Sequence, residues 1–412
     1  MAFGSTASRR VWLSAACSAA LAAGCSGMNA STDTNEPIRS GQTSTDTVVA
    51  HTFFPEHRKP AADMNHALRV PPGFSVDVFA IGINGSRMLA VADDGTVYVT
   101  RPDAGEVDML RMDASAMAQP IPAAAGMSGV HGIAIYGRQV YLATTKQVLV
   151  ADIQSDGSFG ERRVIISNLP DGGQHAYRTI GIGPDARLYI SVGSDCNACL
   201  EPDGEHATML RSPLTGGARE VFAKGLRNTI GFDWEPKSHE LWGMDNGIDY
   251  VGDDDPPEEL NRLMEEGDYG WPFRFGNNRV NRLFDRAKVP QTEFEKPTLA
   301  PFLTYDAHSA PIAMVFYTGA QFPAEYRSSA FVALHGSWNR EKPSGYKVVR
   351  IIFRDGQPER FEDFLTGFLV DNGKAQIGRP AGLAVTKDGA LLVSDDANGV
   401  IYRVSYGGPK SS

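Results

Sequence analysis

RTIGIGPDARLYISVG, residues 178–193, holds the pattern that decides the fold. A short alternating run, Thr179 to Ile182, stops at Gly183-Pro184-Asp185, and a second apolar run follows from Leu188 to Val192. Two short alternating runs around a turn-forming cluster are the signature of a β-hairpin. The same punctuation recurs as RMLAVADDGTVYVT from Arg87, HGIAIYGRQVYLAT from His131 and NTIGFDWEPKSHELWGMDNG from Asn228. PIAMVFYTGAQFPAEYRSSAFVALHG from Pro311 is a longer version, and RPAGLAVTKDGALLVSDD from Arg379 closes the series. The spacing is roughly 40 to 60 residues, a period that predicts a β-propeller with four strands per blade.

Six units predict an all-β fold: a six-bladed β-propeller, each blade a four-stranded antiparallel sheet. GFSVDVFA, residues 73–80, reads as an isolated strand before the first hairpin, placed to complete the last blade and close the ring. The one large gap, about residues 248–308, would hold the outer strands of blade four plus an insertion. A β-sandwich is the main alternative, but it does not predict six matched hairpins.

The chain has 412 residues, 42% hydrophobic and 21% charged, which suits a soluble globular protein. A net charge of −10 gives no reason for a nucleic-acid partner. No P-loop or dinucleotide fingerprint appears between a strand and a helix. The 43 glycines and 25 prolines fall often in turn positions, in keeping with a β-rich chain.

The N-terminus reads as an export signal, residues 1–24: Arg9-Arg10, then a short Ala-rich apolar stretch from Val11 to Gly24. LAAGC places Cys25 after small residues, like a bacterial lipoprotein cleavage site, although Ala22 stands where a large aliphatic is usual. Ser8-Arg9-Arg10-Val11-Trp12-Leu13 also resembles a twin-arginine signal. Residues 25–50, dominated by Ser, Thr, Asn, Asp and Gly, read as a disordered tether after a lipidated Cys25, with the folded domain at 51–412. The expected location is periplasmic, tethered to the membrane through the lipid alone.

Cys196 and Cys199 stand close together in SDCNACLEP. In an oxidising compartment a tight disulfide is the leading reading. Covalent haem would need His where Leu200 stands, and a zinc site lacks a second ligand pair nearby.

A hairpin's two ends lie on one side, so residues flanking it share a face. The hairpin entries carry Arg87, His131, His175 with Arg178, Arg227-Asn228, His308-Ser309 and Arg379. The exits, on the same face, carry Arg101, Ser194-Asp195, Asp245-Asn246-Gly247, the run His335 to Arg340 and Asp395-Asp396. Converging arginines repel by roughly 4 kcal/mol per close pair at a surface-like dielectric, so a ring of them predicts a planar anionic ligand. The acidic stretch NGIDYVGDDDPPEELNRL, residues 246–263, would suit a hard cation such as Ca²⁺, or equally a solvated loop.

QHAYRTIGIGPDARLYISVGSDCNAC, KGLRNTIGF, ELNRLMEEGDYGWP, HGSWNREKPSGYKVVRI and GRPAGLAV together resemble the soluble quinoprotein glucose/sorbosone dehydrogenase family. These are six-bladed propellers that bind pyrroloquinoline quinone (PQQ) and calcium. The CNAC and HGSWNR segments look more like the sorbosone-dehydrogenase branch. The resemblance implies a PQQ-dependent dehydrogenase acting on CH–OH groups of an aldose or a sorbosone-like hydroxy-aldehyde. It implies His175 as the catalytic base and Arg227 as the group facing the reacting carbonyl. Asn228 and Arg379 would contact PQQ, as would Asn339 and Arg340 more loosely, and Arg178 and Arg87 stand as further candidates. Gly247 and Ile248 match the pair whose carbonyls hold the cofactor's calcium; Glu259 and Tyr269 match ligands of a second, structural calcium.

The sequence departs from the glucose-oxidising members at Ile230, where they have glutamine, at Gln174, where they have an acid, and at Arg178, where they have a small residue. It also carries extra residues between Gly247 and Glu259. The implied partners are a sugar or aldehyde substrate and a periplasmic or membrane electron acceptor. The competing readings are a non-catalytic sugar- or protein-binding propeller and a calcium-dependent lactonase-type hydrolase.

Overall fold

A computed structural model describes residues 50–59, 67–112, 117–281, 283 and 289–408. The expected export segment, Cys25 and nearly all of the tether lie outside the described residues. The described chain is nearly all β-strand. RTIGIGPDARLYISVG folds as a hairpin in which Ile180 faces Ile190 and Ile182 faces Leu188. Gly183 N–H donates to Arg187 O at 2.9 Å across the turn, and Ala186 takes the left-handed conformation the turn needs, φ 54°.

Six antiparallel sets of four strands follow one another. The first comprises Leu89–Val91, Val97–Arg101, Glu106–Met112 and Ala118–Ala124. The second runs from Gly132–Tyr136 to Arg163–Ile166, and the third from Ile180–Ile182 to Glu220–Lys224. The fourth joins Thr229–Trp234, Leu241–Asp245, Glu258–Leu263 and Leu303–Tyr305; the fifth runs from Pro311–Phe316 to Gln357–Leu365. In the sixth, Pro380–Val385, Leu391–Asp395 and Val400–Tyr406 are completed by Phe74–Ala80, with Phe74 opposite Tyr406.

The first strands of the sets pack in series. Leu89–Val91 lies against Gly132–Tyr136, and that strand against Ile180–Ile182. Thr229–Trp234 lies against Pro311–Phe316, which meets Pro380–Val385, which returns to Leu89–Val91. This packing is tight enough to select glycine: a Cβ at Gly132 would lie 2.6 Å from Arg178 O of the next set. The second strands are the most buried. Leu241–Asp245, Ala330–Leu334 and Leu391–Asp395 are buried at every residue, because each is covered on both faces.

Two additions shape the mouth. Between the third and fourth strands of the fourth set come Gly267–Asp268, the hairpin Arg274–Phe275 with Arg279–Val280, and the short helix Gln291–Glu295. Gly267–Asp268 pairs with Glu220–Lys224 and so braces this stretch on the third set. At the N-terminal side, Glu56–His57 pairs with Ala375–Gln376, and His51 reaches Asp253 through its ring at 2.8 Å. Among the described residues no helix is long and apolar enough to cross a membrane.

Candidate active site

The strand Arg187–Val192 ends at Gly193-Ser194, and the site is organised there. Ser194 N–H donates to Arg227 O at 2.7 Å, tying the third set to the start of the fourth. Ser194 O lies 2.7 Å from His175 Nδ1. A carbonyl oxygen only accepts, so Nδ1 carries the proton and Nε2 presents its lone pair. Among the described residues nothing hydrogen-bonds to that Nε2. Burial, and then the Arg227 guanidinium, push His175 down to about 3, so the ring is neutral at ordinary pH. Gly193 is required where it stands, since a Cβ would lie 2.6 Å from Asn228 Oδ1 and 2.7 Å from His175 Cβ. His175 and Asn228 thus flank Gly193, and the Arg227 guanidinium lies within electrostatic reach of His175.

Arg227 is held by the disulfide loop. Cys196 and Cys199 are bonded. Between them Asn197 accepts Arg227 Nε at its carbonyl, 3.0 Å, and Arg227 Nη2 at its Oδ1, 2.9 Å. Asn246 O takes Nη1 at 3.2 Å, and Asp249 Oδ2 lies 3.7 Å from Nη2. Three of five guanidinium N–H groups are thus committed to protein oxygens. The other two, and the Asn228 amide N–H groups, have no acceptor among the described residues.

A second group gathers around Arg379 and Arg87. Arg379 donates through Nε to His335 O at 3.1 Å and through Nη2 to Gly336 O at 2.9 Å, and its guanidinium stands over Phe54, 5.1 Å from the ring centre. Its Nη1 has no acceptor among the described residues. Arg87 pairs with Asp396 at 2.5 Å, and His335 Nε2 reaches the same carboxylate at 2.9 Å. Tyr177, two residues after His175, stacks on the buried His131, centroids 4.6 Å apart, and lies under Arg87, 5.3 Å away.

The arginines do not stand as an uncompensated ring that requires an anionic ligand. Arg87 has Asp396, Arg227 has Asp249, and Arg340 has Asp254 at 2.7 Å. A guanidinium this buried needs a counter-charge whether or not a ligand is present. Three candidates point elsewhere. Arg178 is fully buried and donates to His175 O, Pro170 O and Asp171 O at 2.7–3.0 Å, so it shapes the loop that carries His175 and presents no group to a cofactor. Arg340 binds Ala307 O and Asp254, and Asn339 donates to Asp249 Oδ1 at 2.5 Å; both secure the acidic loop.

The cation candidates gather around one small pocket. Gly247 O and Ile248 O receive no hydrogen bond among the described residues, although Ile248 is buried. Gly247 N–H is fixed by Glu258 Oε2 at 2.9 Å, and Glu258 Oε1 takes Ala310 N–H at 2.9 Å. Asp245, cross-strand partner of Glu259, accepts from Arg227 N, Asn228 N and Thr229 Oγ1 at 2.7–3.0 Å. Burial pushes Asp245 up to about 6, Glu258 to about 7 and Glu259 to about 8, the last also by repulsion from Asp245. All three carboxylates accept protein donors, Glu259 from Gly276 N–H and from Asn261 Nδ2 at 3.1 Å, so a hard cation held by these acids would replace one of those bonds. Glu259, Tyr269 and Trp271 line one small pocket with Gly247 and Ile248. The Tyr269 hydroxyl accepts from Met264 N and donates to Arg262 O, which leaves its main-chain carbonyl as the ligand it can offer.

Sequence reasoning missed Asn197, Asp249, Tyr177 and Glu258. The CNAC loop and the acidic run drew attention to the first two neighbourhoods. Nothing local signals that Asn197 and Asp249 converge on Arg227.

Residues 68–407 match the model of the TrAA12-like family. An uncharacterized protein of Borreliella burgdorferi is 30% identical over 362 residues, covering 84% of this chain and 93% of that one. A pyrroloquinoline quinone-dependent pyranose dehydrogenase of Coprinopsis cinerea is 25% identical over 241 residues, 46% of this chain and 32% of that protein. The holo form of the pyranose dehydrogenase PQQ domain from Coprinopsis cinerea shares the fold, with a TM-score of 0.71 at 21% identity, over 86% of this chain and 100% of that one. The chain belongs to the TrAA12-like family.

Proposed function

We propose that this protein is a PQQ-dependent dehydrogenase of sugars on a six-bladed β-propeller, its ring closed by Phe74–Ala80. One observation carries the chemistry. His175 is a neutral imidazole whose Nδ1–H is fixed on Ser194 O and whose Nε2 is uncommitted beside Arg227 and Asn228. Such a group takes the proton of a substrate hydroxyl. PQQ, when bound, supplies the two-electron acceptor for the hydride of the same carbon. Arg227 and Asn228 keep N–H groups for an oxygen that gains negative charge during the reaction. Arg379, with Nη1 free, holds a carboxylate, and Arg87, already paired with Asp396, sets the other wall. The Gly247 and Ile248 carbonyls would hold the cofactor's Ca²⁺, and Glu259 and the Tyr269 carbonyl, on the wall of the same pocket, would be ligands of a second.

The substrate is an aldose or a sorbosone-like hydroxy-aldehyde taken as its hydrate. The LAAGC sequence and the Arg pair support export, lipidation at Cys25 and a periplasmic location. Electrons then pass to a periplasmic or membrane acceptor. The test is reconstitution of the purified chain with PQQ and Ca²⁺, followed by dye reduction against aldoses and sorbosone. Turnover that requires PQQ supports the reading. Absence of PQQ binding, or lactone hydrolysis without PQQ, overturns it.

A further inference from the structure

We propose that Asp171, Asp195 and His206 form a binding site for one divalent transition cation such as zinc, separate from the calcium positions; its binding stands apart from the cofactor reading, and its role in positioning His175 rests on it. One ring nitrogen of His206 and a carboxylate oxygen from each aspartate all lie within 4.8 Å of one another. A single cation at about 2.0–2.2 Å from each donor spans ligands up to about 4.4 Å apart, so a few tenths of an ångström of side-chain movement closes the set around it.

The three donors are uncommitted. The His206 side chain is only 2% exposed, and its Nδ1 is buried with no hydrogen-bond partner. The nearest acid to that nitrogen, Glu201 Oε2, stands at 3.9 Å, outside hydrogen-bond distance, and instead accepts Asp195 N–H at 2.9 Å. An imidazole nitrogen sealed from water without a partner is costly unless something fills its lone pair. Neither aspartate carboxylate receives an N–H or O–H donor among the described residues. The nearby Arg178 does not neutralise Asp171, because its contact is with the main-chain oxygen at 2.8 Å. One imidazole with two carboxylates favours zinc-like cations over calcium, which prefers oxygen alone.

The position gives the cation a job. Asp171 lies four residues before His175, and Asp195 follows the Ser194 whose carbonyl fixes His175 Nδ1. Gln174 N–H already donates to Asp195 O at 2.7 Å. A cation on both aspartates fastens the two segments that position the base, and His206 anchors it to the loop before the third strand of that set.

The test is titration of the purified full chain, held in saturating Ca²⁺, with CoCl₂ followed by visible absorption and with ZnCl₂ followed by calorimetry. The expected result is one equivalent per chain, with the visible bands of nitrogen- and carboxylate-bound cobalt. Asp171→Asn, at an exposed position that leaves folding intact, lowers affinity by about tenfold or more, and His206→Gln abolishes uptake. No uptake above the calcium sites overturns the proposal. So does uptake unchanged in Asp171→Asn, or uptake that disappears only in Asp253→Asn, which would place the ion at His51 and Asp253 instead.

Discussion

The acid limb of the pH–rate profile reports directly on His175. An ordinary histidine, near 6.5, is about 90% protonated at pH 5.5, so a base of that kind loses about tenfold in rate between pH 7.5 and 5.5. Here burial first, and Arg227 second, push the ring down to about 3. Protonation at pH 5.5 then falls below about 1%, and kcat/KM for the PQQ-loaded enzyme stays level over that interval. Arg227→Met removes the second cause and leaves the first, so the limb moves upward without reaching 6.5. Arg227→Lys keeps the charge and leaves the limb low. The assay is dye reduction at limiting sugar from pH 4 to 8, with stability checked at each pH. A wild-type midpoint between 6 and 6.5 would refute the reasoning, since it would mean that the reacting base is in contact with water and free of the Arg227 field.

Calcium binding should strengthen with pH. Glu259 is raised to about 8 in the folded chain, above its ordinary value near 4.5, so the metal-free protein holds a proton that the unfolded chain releases. Metal-free stability from this group therefore falls as pH rises through that window, and Ca²⁺, which displaces the proton, adds more to Tm at pH 8.5 than at pH 5.5. Glu259→Gln should flatten the difference; a pH-independent calcium shift in the wild type would count against the assignment. Arg379→Ala should weaken PQQ binding by about 10- to 100-fold, the loss of a charge-assisted contact of about 1.5–3 kcal/mol, while kcat at saturating PQQ changes little. Equilibrium titration of PQQ absorbance reads it, and unchanged affinity rules Arg379 out. Arg178→Met strands three carbonyls around the His175 loop and should cost about 3 kcal/mol in urea unfolding, lowering kcat more than PQQ affinity. A loss confined to PQQ affinity would return Arg178 to the cofactor.

The hairpins were legible because their signals are local. Period-two alternation and turn residues such as Gly183-Pro184-Asp185 fix a strand pair without knowledge of the rest of the chain. The neighbourhood of His175, Arg227 and Asn228 was legible too, since hairpin ends share a face. Side-chain direction at those ends was not. Arg178 sits where a rim residue would, yet its guanidinium turns inward to Pro170, Asp171 and His175 carbonyls. Arg340 likewise turns to Asp254, because the extra residues after Gly247 bring an acid to it. The counter-charges Asp396 and Asp249 come from 309 and 22 residues away from Arg87 and Arg227, and no local pattern records such pairs. Glu258 and Glu259 are both buried although adjacent residues on a strand face opposite ways; one anchors Gly247 and the other lines the pocket.

The most direct measurement of the central claim is a single turnover. The chain and its His175→Ala variant are loaded with PQQ and Ca²⁺, mixed with an oxidisable sugar without acceptor dye, and followed by the absorbance of the cofactor. The account predicts that both bind PQQ with similar affinity, that the wild type reduces it in one fast phase, and that the variant is slower by about 10²-fold or more, the share of a general base. Reduction at near wild-type rate in His175→Ala would contradict it.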